Sequence, residues 1–421
     1  MLRREAGSDK DVSPVQPKIE APRSPGASPA MRGIVKRLLA VVNVPLLLVL
    51  AALTAYGLLI VNSATLNDTD SSFSFSHQLV GVAIGAVVML ILWRIDYRRL
   101  SVFIVVMLVL DFLLILSPLL PFIGVTVNGA QSWISLFGQR IQPGEPAKII
   151  TIVAMAALVS KYRGKLDSGK EYLKCFGLLM ALLLAIMLQP DLGTGLVFFA
   201  IGLTILFAGG ASWKWIVLTL FVVAFVIGLV IYLDPILDES FGSDVLLKEY
   251  QKDRLLVFMD EDLDPTGVGY NLRQAKIAIG SGGLFGKGLY QATQSSLGFL
   301  PEAPTDFIFC VLAEELGFMG CVLLLTLYAA LIGASFWVAL KADDPFGTLI
   351  VMGCVGMWVF QILENIGMTC GLMPITGIPL PFVSYGSSFM LANFMALGLI
   401  FSVWSHRSAR TSGHERVAME E

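Results

Sequence analysis

Charge is scarce in this sequence. Asp, Glu, Lys and Arg make up only 14% of its 421 residues, against 56% hydrophobic residues. A soluble chain of this size could not keep so much apolar surface from water, so an ordinary soluble enzyme is excluded and a polytopic membrane protein is indicated. Histidine is scarcer still: His77, His406 and His414 are scattered, with no zinc constellation. The five cysteines (Cys175, Cys310, Cys321, Cys354 and Cys370) lie in apolar stretches without a CxxC pair. They read as small core residues, not as a disulfide framework. No basic domain or aromatic–basic stripe is present, which removes nucleic acid as a partner. No internal repeat stands out, which weighs against an inverted-repeat transporter.

What the chain does contain is a succession of apolar runs. Measured against the ~20 residues needed to cross a bilayer, they predict an all-α polytopic membrane protein with ten transmembrane helices. The expected limits are 44–64, 78–94, 100–122, 146–160, 172–188, 192–209, 213–233, 306–340, 347–370 and 386–404. Residues 1–43 are expected to form a cytoplasmic tail, disordered over the Pro-, Ser- and charge-rich first 33 residues. No convincing cleavage site adjoins the first run, so it reads as a span and not as a removed signal peptide. Residues 44–404 form the expected membrane domain, and 405–421 a cytoplasmic C-terminal tail.

Basic residues set the expected orientation. Arg32, Lys36 and Arg37 precede the first run, Arg94, Arg98 and Arg99 follow the second, and Lys161, Arg163, Lys165 and Lys170 follow the fourth. Lys341 follows the eighth, and Arg407 and Arg410 the tenth, whereas 65–77 and 371–385 contain no Lys or Arg. Both termini are therefore expected in the cytoplasm. Residues 234–305 form a large outer loop between the seventh and eighth spans, and loops of such length are commonly functional. Its stretch IAIGSGGLFGKGL (277–289) has glycines suited to tight turns and close approach.

Ionisable groups near spans are costly and face a cavity or each other. In QPGEPAK (142–148), Glu145 and Lys148 are three residues apart and share a helical face. They suit an ion pair opening the span as well as they suit function. In QPDLGTG (189–195), Pro190 interrupts the helix and Asp191 is placed to cap the next one. In LPEAPTDFIF (300–309), Asp306 precedes a run reaching Leu340. Two readings stand for it, a helix cap and a catalytic base. The run from Phe307 would make ~50 Å of helix against a ~30 Å hydrocarbon core. Its first turns must therefore tilt, stand at the interface or border a cavity. Glu314 and Glu315 must be protonated, paired or turned to polar space. GLMPITGIPLPFVSYGSS (371–388) is irregular backbone that survives at membrane depth only inside protein or along a cavity. Gln361, Glu364 and Asn365 extend that polar surface.

Several segments together resemble one family. NGAQSWI (128–134), IQPGEPAKI (141–149), QPDLGTG, FLPEAPTDFIFCVLAEELG (299–317) and ITGIPLPFVSYGSS (375–388) are similar in type and order to the SEDS family, which includes RodA, FtsW and SpoVE. YNLRQAKIAIGSGGLFGKG (270–288) looks more like RodA than FtsW. The resemblance implies a ten-span peptidoglycan glycosyltransferase of the bacterial cytoplasmic membrane. It would polymerise lipid II on the outer face, invert the donor sugar and release undecaprenyl pyrophosphate. It further implies a class B penicillin-binding protein as transpeptidase partner, and leaves room for a divalent cation, Mg or Mn. By resemblance Asp306 is the catalytic residue, and Glu145, Lys148, Asp191 and Trp133 stand on the substrate side. Lys148 is the expected protein cation for the leaving group. The chain departs from the family pattern at Ser132 (usually Arg), Gly144 (usually Ser), Pro304 (usually His) and Ser387 (usually Gly). The alternatives are a flippase for the lipid-linked precursor, an FtsW-like division polymerase and a non-catalytic cell-wall scaffold. A flippase would need a polar path reaching the cytoplasmic side, and the polar residues here cluster toward the outer one.

Overall fold

The computed structural model describes residues 42–66, 73–127, 129–136, 139–162, 166, 168–242, 247–260, 264 and 267–407. The expected tails, apart from 42–43 and 405–407, lie outside the described residues, as do Asn128, Arg163, Lys165 and Arg410.

Helices occupy every apolar run. In chain order they are α1 (Val44–Leu66), α2 (Phe75–Arg94), α3 (Ile104–Leu116), α4 (Gly144–Ser160), α5 (Gly169–Met187), α6 (Leu192–Ala208) and α7 (Trp213–Phe241). Then follow α8 (Glu249–Met259), α9 (Val268–Ser281), the single turn α10 (Thr293–Ser296), α11 (Ile308–Leu340), α12 (Pro345–Thr369) and α13 (Ser387–Ser405). A 3-10 segment Tyr97–Phe103 leads into α3. Among the described residues, seven helical stretches are long and apolar enough to cross a membrane: α1, α2, Tyr97–Leu119, α7, α11, α12 and α13. The protein is thus a mostly helical, multi-pass membrane protein. Helix α7 outruns its expected limit of 233 and continues to Phe241 through Pro235.

Burial sorts these helices into centre and periphery. In the apolar windows of α12 and α13, 72% of residues are buried, against 11% in Tyr97–Leu119 and in α7. Phe221, Phe225 and Ile231 on α7 and Val105, Val106 and Leu113 on α3 are exposed. In lipid such apolar surface costs nothing, since acyl chains are as oily as the side chains. Close packing in the interior uses small residues: a Cβ on Gly85 would meet the Phe394 ring at 2.8 Å, and one on Gly353 would meet Ile152 at 2.8 Å.

A three-stranded antiparallel sheet, β1 (Gly124–Val127), β2 (Ala130–Leu136) and β3 (Gln139–Ile141), forms the connection before α4. Trp133 of β2 lies opposite Val125. The hairpin turn reaches the outer-loop helix α8, because a Cβ on Gly129 would lie 2.8 Å from the Tyr250 ring.

The run expected as one long helix is two helices. Gly317 interrupts α11 with φ 63° and ψ −163°. The loop after α9 enters the break: Phe318 N donates to Gly283 O (2.9 Å) and Met319 N to Leu284 O (3.1 Å). In return Lys287 N donates to Glu314 O and Gly288 N to Glu315 O, each at 3.0 Å. Backbone groups freed by the break are therefore satisfied inside the protein, as membrane depth requires. Glu314 accepts from Lys287 Nζ, from Thr293 N (2.9 Å) and Oγ1 (2.7 Å), and from Gln294 N. Glu315 accepts from Ser63 Oγ on α1 through one oxygen only.

The segment 374–386 also enters the bundle as irregular chain. Its Phe382 backbone lies so close to Gly57 that a Cβ there would collide with Phe382 O. Gly57 precedes the end of α1 by about 14 Å of helix at ~1.5 Å per residue, so this segment descends well below that end. Tyr328 donates to Pro381 O at 2.7 Å and meets it from α11.

Candidate functional site

The descending segment and α12 together hold the backbone around Asp306. Tyr385 N donates to Pro304 O (2.9 Å), Ser384 Oγ to Thr305 O (2.7 Å), and Asn365 Nδ2 to Asp306 O (2.9 Å). The same Asn365 amide donates to Ile378 O at 2.8 Å, tying the two segments together. Asp306 does not cap α11: its N-cap is Phe307, with no side-chain cap bond. The helix-cap reading of Asp306 is corrected accordingly, and its carboxylate is left for other work.

Asp306 is half-buried. Burial raises its carboxyl from the ordinary value near 4 to about 7, with the charge of Glu302 adding to the rise. Arg254 and the Thr305 hydroxyl oppose it. The carboxylate sits against bare backbone: a Cβ on Gly377, at φ 75°, would lie 3.0 Å from Asp306 Oδ2. Only glycine takes that conformation without strain, and only glycine leaves that space open.

The other expected residues fall into two groups. Glu145 and Lys148 form an ion pair at 2.6 Å with side chains only 3% and 2% exposed. The ammonium also stands over the Phe389 ring, 5.9 Å from its centre. The pair is thus buried and mutual. Asp191 caps α6, accepting from Thr194 N and Oγ1, both at 2.9 Å, and receives Gln142 Nε2 at 3.4 Å. Gln142 N donates in turn to Ser388 Oγ at 3.3 Å. The QPGEPAK, QPDLGTG and SYGSS segments are therefore joined by hydrogen bonds. Trp133 stands on the sheet, half-buried, beside the buried Ser132.

Helix α8 of the outer loop bridges these segments to Asp306, a role nothing in its sequence announced. Tyr250 Oη and Gln251 Nε2 donate to Pro190 O of QPDLGTG. One turn on, Arg254 Nη1 donates to Thr376 O at 3.0 Å, and its guanidinium lies 5.6 Å from the Tyr250 ring centre. Arg254 and Thr376 were not singled out from the sequence. An Arg in an amphipathic loop stretch looks like any solvated charge until the fold shows what it faces.

Glu364 of α12 is 2% exposed, and neither carboxylate oxygen has a hydrogen-bond partner. The Thr376 hydroxyl and Asn365 Oδ1 are likewise buried and without one. Among the described residues no group of three or more His, Cys, Asp or Glu is arranged to hold a metal ion. The described residues thus form no cluster that would hold a divalent cation by protein groups alone. The arrangement offers a base of raised proton affinity, an arginine beside it, and an open glycine floor between them.

Comparison with known proteins agrees with these motifs. The family model FtsW/RodA/SpoVE, described as "Cell cycle protein", matches residues 43–409. The chain is 36% identical over 367 residues to the peptidoglycan glycosyltransferase MrdB of Escherichia coli (strain K12), covering 86% of this chain and 93% of that one. It is 34% identical over 364 residues to stage V sporulation protein E of Bacillus subtilis (strain 168), covering 85% and 95%. Among solved structures, a chain from "Structural coordination of polymerization and crosslinking by a peptidoglycan synthase complex" superposes with a TM-score of 0.71 at 28% identity, covering 86% of this chain and 98% of that one. The rod shape determining protein RodA of Thermus thermophilus gives a TM-score of 0.62 at 27% identity, covering 86% and 96%.

Proposed function

The chain belongs to the FtsW/RodA/SpoVE family of cell cycle proteins, and on that footing we propose that it is a RodA-like peptidoglycan glycosyltransferase serving cell-shape maintenance. Its substrate is lipid II, polymerised at the outer face of the cytoplasmic membrane, and its partner is a class B penicillin-binding protein. The chain crosses the membrane ten times, α4, α5 and α6 adding to the seven long apolar stretches. Both termini are cytoplasmic. One observation carries the chemical assignment: the half-buried Asp306 carboxyl, raised to about 7, where the outer loop, α12 and the segment 374–386 meet.

In the proposed reaction Asp306 takes the proton of the acceptor sugar's 4-hydroxyl as its oxygen bonds to the donor's anomeric carbon. The bond from that carbon to the diphosphate breaks, the electron pair leaves with undecaprenyl pyrophosphate, and the configuration inverts. A base whose proton affinity lies near the working pH combines ionisation with driving force, which is typically worth ~10²–10⁴ in rate. Asp191 and Trp133 are the proposed substrate-side residues above the bundle. The Glu145–Lys148 pair supports that wall from beneath, with Lys148 reaching substrate only if Glu145 releases it.

The test is reconstitution of the purified chain with its transpeptidase partner and lipid II. Wild type should lengthen glycan, and Asp306→Ala should lower the rate by at least ~10². Normal polymerisation by the alanine variant would overturn the base assignment. Absence of glycan from the wild-type complex would overturn the polymerase reading.

A further inference from the structure

A polyprenyl diphosphate leaving group carries concentrated negative charge, and Lys148 is poorly placed to receive it. That lysine is 2% exposed and already bonded to Glu145. Other cations near the outer loop are also engaged. Lys252 is paired with Asp234 (3.1 Å) and Asp238, and Lys287 with the buried Glu314. Arg273 and Lys276 hold interactions of their own.

Arg254 differs. It is half-buried, and among the described residues no carboxylate lies within ion-pair distance of it. One arm of the guanidinium donates to Thr376 O, and the Tyr250 ring stands beside it. These contacts fix the group and leave most of its five donors for something else. The space it overlooks is the glycine floor shared with Asp306. A Cβ on Gly377 would be 3.0 Å from Asp306 Oδ2 and 4.0 Å from Arg254 Nη1. A side chain at 377 would fill the gap between base and guanidinium. Glu364 of α12, 98% buried with both oxygens unpartnered, is within electrostatic reach of both Asp306 and Arg254.

We propose that Arg254 binds the diphosphate of the lipid-linked donor, across the Gly377 gap from Asp306. The proposal rests on the glycosyltransferase reading and deepens it. A planar guanidinium matches two phosphate oxygens at once, which an ammonium cannot do. Half-burial strengthens the contact by lowering the local dielectric. The base then faces the attacking hydroxyl, while the guanidinium holds the diphosphate that departs with the electron pair. Because α8 also grips Pro190, the guanidinium is placed by the same helix that joins the QPDLGTG turn to the site.

The experiment measures equilibrium binding to the purified full chain of undecaprenyl diphosphate, undecaprenyl monophosphate and inorganic pyrophosphate. Wild type should prefer the lipid diphosphate. Arg254→Gln should weaken it by about 10–100-fold, the usual loss for a charge-assisted bond, and Asp306→Asn should not. Preference for free pyrophosphate over the lipid form would instead assign a site for a soluble anion and overturn the lipid assignment. Unchanged affinity in a folded Arg254→Gln protein would overturn the proposal outright. Modification by phenylglyoxal, read peptide by peptide on wild type, avoids dependence on that variant folding. Undecaprenyl diphosphate should shield Arg254 and leave the exposed Arg140 reactive, and an unshielded Arg254 would sink the idea. Polymerisation of lipid II in the same preparations separates the two levels. Glycan made by Arg254→Gln with an unchanged donor KM refutes the diphosphate site alone. Shielding of Arg254 in a wild-type protein that makes no glycan refutes only the polymerase reading.

Discussion

As the proposed base, Asp306 would trade stability for reactivity, and the sign of that trade is measurable. A carboxyl whose affinity is raised to about 7 in the folded chain binds more protons there than in the unfolded chain, where it titrates near 4. Its contribution therefore falls as pH rises between about 4 and about 7, and stays low above that window. The catalytic consequence runs the other way, since only the ionised form is a base. Glycan synthesis should climb as pH rises through about 7, while Asp306→Asn should abolish synthesis and raise the melting temperature at pH 8 by roughly 2–4 °C. That gain should shrink toward pH 4, and melting curves of both proteins across pH 4–8 would show it. A second residue-scale expectation concerns Glu145 and Lys148. Lys148→Met leaves an unpaired carboxylate 2% exposed and should cost about 3–5 kcal/mol, whereas Glu145→Leu with Lys148→Met should cost less. Denaturation of the single and double variants decides it, an equal or larger loss in the double counting against a buried mutual pair. The pairing of these two was legible from their three-residue spacing. Their burial was not, because spacing fixes a helical face and says nothing of what covers it. Arg254 was illegible for a related reason: its meaning lies in a contact with Thr376, more than a hundred positions away in sequence.

At the scale of elements, hydropathy located the helices to within a few residues in most cases, since an apolar run of adequate length has few other outcomes in lipid. It could not show the break at Gly317, because glycine is common inside membrane helices and EELGF reads as a continuous run. The excess of length was the only hint. The break gives the outer loop a seat, with four backbone hydrogen bonds linking 283–288 to 314–319. Two glycines make this approach feasible. A Cβ on Gly286 would collide with Glu315 O, and one on Gly317 with Gly286 N. Gly317→Ala, with φ 63° to maintain as well, should destabilise this junction by about 1–3 kcal/mol and release the loop from α11. Because Asp306 lies two residues ahead of the same short helix, the variant should lose glycan synthesis while still inserting into membranes. Limited proteolysis in proteoliposomes should then cut within 282–305 faster than in wild type. Equal cutting rates with equal activity would mean that the junction is not what positions the loop.

At the scale of the whole molecule, two described irregular segments enter the bundle, and the proposed topology puts them at its outer end. Phe382 reaches the level of Gly57, about 14 Å short of the end of α1, and 283–288 reaches the break in α11. Both segments are enclosed by helices. Around them stand the largely buried α12 and α13, with α3 and α7 presenting apolar surface outward. A polar interior open at one end and an oily exterior fit an enzyme that meets a lipid-linked substrate from the side, with its sugars above. The placement demands that α8 and Lys341 lie on opposite sides of the membrane. Lys248 opens α8 and Lys341 ends α11, both exposed. In a chain with Cys321 and Cys370, the half-buried native thiols, replaced by alanine, Lys248→Cys should react with a membrane-impermeant maleimide added to intact spheroplasts. Lys341→Cys should react only after permeabilisation. The two residues are close to the ends of helices whose lengths leave little slack, so a reversed pattern cannot be absorbed by a shifted boundary. It would put the base on the cytoplasmic side, where growing glycan has no route to the wall, and would remove the polymerase reading together with the topology.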